Sequence, residues 1–155
     1  MIYFKTISTK LGPITIAELN GAIIMLDFGG GDNIDGIARD TKLLCDAARQ
    51  LTEYMAGKRK TFKLKLAPAG TDFQNQVWQA LQKIPFGKTI AYAEIARILG
   101  RPRAFRPVGN AVGRNPIPII IPCHRVIATD GGIGGFSSGL PLKRRLLKLE
   151  GLRHI

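Results

Sequence analysis

One run of the chain, Ile119-Ile120-Ile121-Pro122-Cys123-His124-Arg125-Val126-Ile127, sets a thiol beside an imidazole and a guanidinium at the end of a strongly apolar stretch. A thiol reacts as its thiolate, and with a free pKa of about 8.5 it needs help from its surroundings near neutral pH. A neighbouring imidazole and a neighbouring cation are the kind of surroundings that supply it, so Cys123 is the first candidate for a nucleophile.

The elements around this run decide how the thiol is presented. Asn115-Pro116 forces a turn into Ile117 to Ile121, and Pro118 and Pro122 cannot donate to a ladder. The run is therefore an edge or an irregular buried segment and not a central strand. Upstream, Thr71 or Asp72 can cap a helix from Phe73 to about Lys83, with Phe73, Val77 and Leu81 on one face and Pro85-Phe86-Gly87 after its end. A second helix, about Tyr92 to Leu99, closes at Gly100. A third starts near Arg103 or Ala104, runs to about Gly113, and bears Arg103, Arg106 and Arg114, with Pro107 early enough for its missing amide proton to cost little. Two short helices across a glycine-containing turn have the pattern of a helix-turn-helix. Downstream, a helix from Pro141 to about Glu150 puts Leu142, Leu146 and Leu149 on one face and Glu150 at its edge. Glu150 is the one acid among Lys143, Arg144, Arg145, Lys148 and Arg153, and from the residues alone it reads as a surface glutamate paired with Arg145 or a neighbour.

The first part of the chain has a different texture. Ile2 to Thr6, Pro13 to Glu18 and Ala22 to Phe28 are β-rich, with Asn20-Gly21 a hairpin signal between the last two. A Gly/Asp-rich loop, Gly29 to Gly36, leads to a helix capped by Thr41 and running to about Ala56, with Leu43, Leu44, Ala47, Leu51, Tyr54 and Met55 at helical spacing. Cys45 lies among these positions and is expected to be a buried structural residue. Thr61 to Leu66 reads as a further strand, and Ala67-Pro68-Ala69-Gly70 as a linker dividing a domain of residues 1–69 from one of residues 70–155.

Charge changes at the same place. Residues 1–70 carry a net charge of +3 and residues 71–155 a net charge of +9, within a total of +12. Clustered lysine and arginine neutralise phosphates and release counterions, so the basic second half favours nucleic acid over a merely solubilising surface. With only Cys45 and Cys123 there is no disulfide framework, and two cysteines with two histidines lack the paired spacing of a zinc site. No stretch is long and apolar enough for a membrane span and the start has no apolar signal core, which points to a reducing cytoplasm.

Six segments in order then carry a resemblance: Phe73-Gln74-Asn75-Gln76-Val77-Trp78, Ile84-Pro85-Phe86-Gly87-Lys88-Thr89, Ala91-Tyr92-Ala93-Glu94-Ile95-Ala96, Arg106-Pro107-Val108-Gly109-Asn110-Ala111, Asn115-Pro116 and Ile121-Pro122-Cys123-His124-Arg125-Val126. Together they resemble the O6-alkylguanine-DNA alkyltransferases, also called methylated-DNA-protein-cysteine methyltransferases. The match is dense from Gly70 to Gly151 and only architectural before it. It implies an α+β fold, a small N-terminal antiparallel sheet with a helix of ribonuclease H-like type, then a mainly helical domain with the helix-turn-helix.

The resemblance also implies roles. Cys123 would accept the alkyl group from guanine O6 by in-line displacement and keep it as a thioether, in a single turnover with no step that regenerates the thiol. His124 would act through a water as the base, and Glu150 would orient that imidazole. Strand neighbours point to opposite faces, so this needs a turn at Pro122. Tyr92 would give its proton to the departing guanine, Asn115 would brace the turn into the cysteine loop, and Arg106 would fill the gap left by the flipped nucleotide, with Arg103 and Arg114 as further DNA contacts. Gly135, Phe136 and Ser137, in a glycine-rich loop, would wall the base pocket, and the main chain at Cys123 and Val126 would read the guanine amino group. The partner implied is double-stranded DNA with O6-alkylguanine, entered from the minor groove by a monomer at the nucleoid, with no cofactor and no metal. Two departures stand out. Phe136 replaces a tyrosine found in many relatives, which shifts proton donation onto Tyr92, and Pro107 takes a position more often alanine. A noncatalytic alkylated-DNA-binding protein of the same fold is the alternative, and the presence of Cys123 argues against it. A Cys-His hydrolase or thiol oxidoreductase would leave the basic half without purpose.

Overall fold

A computed structural model describes residues 1–153. The chain divides into two compact units, one from Met1 to Ala69 and one from Gly70 on. The first is built on β1 (Ile2–Thr9), β2 (Gly12–Leu19) and β3 (Ala22–Asp27), antiparallel in sequence order, with the two-residue β4 (Ile37–Ala38) added parallel to β1, giving the order β3-β2-β1-β4. Asn20 and Gly21, with φ of 52° and 79°, make the two-residue turn between Leu19 and its partner Ala22, the left-handed pair that matches strand twist. Ile14, Ile16, Ala17 and Ile23 are buried on the sheet, and α1 (Lys42–Met55) adds Leu44, Ala47, Leu51 and Tyr54 to the core. The hydroxyl of Thr41 caps α1 by accepting from the Leu44 amide at 3.1 Å.

Two expectations fail in this unit. Cys45 is exposed, because the buried row of α1 is Leu44, Ala47, Ala48, Leu51 and Met55, and Cys45 follows Leu44 by one residue, about 100° around the helix. Thr61 to Leu66 forms no strand. It is tied to β3 only by the bridge between Ile23 and Leu66, while the Lys63 amide donates to Gln50 Oε1 (2.9 Å) and the Lys63 carbonyl accepts from Gln50 Nε2 (3.1 Å), so a helix side chain takes the groups a neighbouring strand would need.

In the second unit α2 (Asp72–Gln82) opens with a capping box between Thr71 and Gln74. Helix α3 (Tyr92–Ile98) turns at Gly100 (φ 73°) toward α4 (Phe105–Gly113), which packs on both α2 and α3. Trp78 on α2 locks this arrangement, donating its indole N–H to the Ala111 carbonyl at 2.9 Å in the core. Helix α4 starts two residues later than Arg103, which therefore stands in the preceding turn, and Arg114 is its C-cap. Pro107 is its third residue, still within the first turn.

The apolar run after α4 makes no ladder. Ile117, Ile119 and Ile121 are buried in successive turns closed by Ile120 N–H to Pro118 O and Ile121 N–H to Ile117 O, both 2.9 Å. Ile119 is held at φ 72°, a left-handed conformation that costs a β-branched residue roughly 1–3 kcal/mol. The chain then makes a single 3-10 turn, Cys123–Arg125, and enters β6 (Val126–Ile127), which pairs in parallel with β5 (Ile90–Ala91). Helix α5 (Leu140–Leu149) follows, with Glu150 as its C-cap.

Candidate active site

Three local devices bring the reactive side chains together. The 3-10 turn sends Cys123, His124 and Arg125 in directions roughly 120° apart, which a strand could not do. The pairing of Ile90 with Val126 and Ala91 with Ile127 fixes the start of α3, so Tyr92, its first residue, stands beside that turn. Asn115 braces the segment in front: its Nδ2 donates to the Ile121 carbonyl at 2.7 Å and its Oδ1 accepts from the Ile117 amide at 3.0 Å.

Behind the thiol lies a buried ionic cluster. His124 Nε2 is 2.6 Å from Glu150 Oε2, and the carboxylate also accepts from Arg125 Nε (2.9 Å), Arg125 Nη2 (3.1 Å) and the Gly87 amide (2.9 Å). Neither the His124 nor the Glu150 side chain is exposed, which excludes the surface-glutamate reading. Burial alone would raise the Glu150 pKa, but the His124 and Arg125 hydrogen bonds and the Gly87 amide outweigh it and hold it at about 2. Burial pushes His124 below its ordinary value, with Glu150 opposing, so the resting imidazole is neutral. Its proton belongs on Nε2, facing an ionised carboxylate. That leaves Nδ1 with a lone pair, buried and without a hydrogen-bond partner among the described residues.

Arg125 is committed to Glu150 and to the Ile84 carbonyl (2.6 Å), so the guanidinium expected to assist the thiol serves the carboxylate instead. The cation that acts on Cys123 is Lys143. Its Nζ is wholly buried and donates to the Val126 carbonyl (2.6 Å) and the Gly135 carbonyl (2.9 Å). Burial lowers its pKa to about 8, so it remains mostly charged at neutral pH. Burial pushes the thiol up to about 11, against hydrogen bonding from the Asn115 side chain and the Lys143 charge. Cys123 is therefore a protonated thiol at neutral pH.

In front of the thiol is a cleft of about 160 Å³ lined by Tyr92, Gly109, Val112, Gly113, Cys123, Gly135, Phe136 and Ser137. It is smaller than the usual small-molecule site and suits one ring system. The Tyr92 ring fits between Gly109 on α4 and Gly134, where an added Cβ would come within 3.8 and 3.2 Å of the ring; Gly134 also has φ 73°. Burial raises the Tyr92 pKa, a hydrogen bond from the Gly135 backbone opposing, so the phenol keeps its proton at neutral pH. Val126 does not line the cleft: its side chain is buried and its carbonyl is taken by Lys143. Arg103, Arg106 and Arg114 are exposed around α4, outside the cleft. A larger, shallower depression beside Lys42, Leu43, Cys45, Asp46 and Arg49 gathers no comparable set of groups.

Residues 72–152 match the 6-O-methylguanine DNA methyltransferase DNA binding domain, and residues 2–68 match the ribonuclease-like domain of the same family. The chain belongs to that family. A methylated-DNA–protein-cysteine methyltransferase of Methanosarcina barkeri is 50% identical over 96% of this chain and 97% of its own, and a constitutive one of Bacillus subtilis is 42% identical over 97% and 96%. The crystal structure of Mycobacterium tuberculosis OGT in complex with DNA superposes with a TM-score of 0.89 at 41% identity, over 97% of this chain and 94% of that one.

For a 6-O-methylguanine DNA methyltransferase family member, the residue that sequence reasoning passed over is Lys143. The predicted face of α5 was Leu142, Leu146 and Leu149, whereas the buried face is Lys143, Leu146, Leu147 and Glu150. The spacing of i, i+3, i+4 and i+7 carries the signal, with an ionisable group at each end of an otherwise apolar stripe.

Proposed function

We propose that this protein repairs O6-alkylguanine in duplex DNA by moving the alkyl group onto Cys123, once per molecule. The observation that carries the reading is a thiol lining a cleft sized for one ring system, with a neutral imidazole behind it whose Nδ1 lone pair is unused among the described residues. His124 Nδ1 takes the thiol proton, directly or through a water, and Glu150 meets the imidazolium that forms. The sulfur attacks the alkyl carbon as the carbon–O6 bond breaks, and guanine leaves with the bonding pair. Tyr92 supplies a proton to the departing base, and the imidazolium proton returns to the tyrosinate through solvent. The thioether is neutral and has no leaving route, so the protein is spent.

The alkyl carbon cannot be reached inside a stacked duplex, so the damaged nucleotide swings into the cleft and Arg106 takes its place in the stack. Arg103 and Arg114 hold phosphates, with α4 in the minor groove. Residues 70–155 carry the chemistry and the DNA contacts. The protein acts as a monomer at the nucleoid, where free cysteines persist. Incubation with a duplex containing O6-methylguanine should add one methyl group to Cys123 by intact mass and peptide mapping. Cys123→Ala should gain no mass and still bind. Retardation of the duplex by the unaltered protein with no mass gain would make it a noncatalytic binder, and repeated turnover without consumption would sink the reading outright.

A further inference from the structure

The large apolar side chains standing in solvent include Phe105, 49% exposed, the first residue of α4. A single exposed apolar residue is unremarkable in general, but this one has an unusual address. Phe105, Gly109 and Gly113 are spaced by four residues and form one row along α4, about 6 Å per step. Gly109 and Gly113 line the cleft that contains Cys123, so Phe105 continues the cleft wall outward to the protein surface. Val108 and Ala111 pack the helix into the core, while Phe105 and Gly113 stay exposed. Arg106 follows directly, and the whole approach, Arg101, Pro102, Arg103, Phe105, Arg106 and Pro107, is exposed. No acidic residue lies between Glu94 and Asp130, so the segment that carries the ring is uniformly basic, which favours a polyanion. Pro107 in the first turn fixes the backbone that carries both side chains.

We infer that Phe105 is an apolar wedge that enters the minor groove at the base step beside the lesion and lowers the cost of extruding the damaged nucleotide. The inference rests on the repair function proposed above. Arg106 can replace the hydrogen bonds and volume of the missing base, but a guanidinium does little to part the adjoining pair. A ring one residue away, on the row leading to the cleft, is suited to that, since apolar side chains pressed into the minor groove unstack a step and bend the duplex away from the protein. Phe105 and Arg106 thus divide the work, one opening the step and the other holding it.

Single-turnover transfer from O6-methylguanine separates this from a general DNA contact. Phe105→Ala should react about tenfold more slowly with the duplex, the scale of one lost base–aromatic stack, and at an unchanged rate with a single strand, which has no flanking pair to part. Phe105→Leu, which keeps an apolar wedge, should recover most of the loss. Fluorescence of 2-aminopurine placed beside the lesion should rise on binding of the unaltered protein and much less with Phe105→Ala, whether or not transfer follows, so the wedge and the repair function can fail independently. An unchanged duplex rate, an equal loss on the single strand, or the same 2-aminopurine response from both proteins would overturn the assignment.

Discussion

Replacing Glu150 with glutamine is the sharpest probe of the buried cluster, because its effect can be worked out in two ways. The carboxyl is held at about 2 against an ordinary 4.5, and its side chain has no exposure, so its ionised form contributes about 3 kcal/mol to stability at neutral pH. Independently, removing one partner of a buried ion pair costs on the order of 3–5 kcal/mol, here because Arg125 would be left buried without its counter-charge. The two routes agree. For a depressed carboxyl the contribution is complete above 4.5 and fades as pH falls toward 2, so the stability gap between the two proteins should be about 3 kcal/mol at pH 7 and should narrow steadily below pH 4.5. Urea unfolding of both proteins at a series of pH values measures that gap, and subtracting one from the other removes the acid response of every other carboxylate. A gap under about 1 kcal/mol at pH 7, or one that does not change between pH 5 and pH 3, would show that the cluster does not hold Glu150 as the geometry requires.

Two further outcomes follow from the same site. Lys143→Met should remove the cation that favours a developing thiolate at pH 7, slowing alkyl transfer there by roughly tenfold to a hundredfold and removing the inflection that the titration of Lys143 near 8 gives the rate profile, while DNA affinity stays unchanged. A profile identical to that of the unaltered protein would remove Lys143 from the chemistry. Tyr92→Phe should slow transfer by roughly a hundredfold, and the deficit should shrink for a guanine analogue that is a better leaving group; a constant deficit across leaving groups would mean that the hydroxyl positions the base without protonating it.

The helices were legible in the sequence because their caps and periods are local. Thr41 and Thr71 cap where expected, and Gly100 closes α3. The proline argument for the Ile117 to Ile121 run also held, since a chain lacking ladder donors at Pro118 and Pro122 did fold into buried turns. What stayed hidden depends on partners distant in sequence. Lys143 looks like a surface base until the carbonyls of Val126 and Gly135 are seen around its ammonium group. Arg125 looks like an aid to the thiol until Glu150, 25 residues on, claims it. Thr61 to Leu66 has strand composition but loses its backbone groups to Gln50, and β4 was concealed because its two residues, Ile37 and Ala38, follow directly on a loop of strong turn composition.

Glu150 joins Gly87, His124 and Arg125, which lie 63, 26 and 25 residues before it in the chain. During synthesis Cys123 and His124 therefore leave the ribosome before Glu150, and the nascent polypeptide carries a buried-to-be imidazole without its carboxylate until α5 has emerged and docked. Cleavage by a protease in the exposed stretch Thr129 to Gly132 would leave Glu150 joined to His124 and Arg125 by these non-covalent contacts alone.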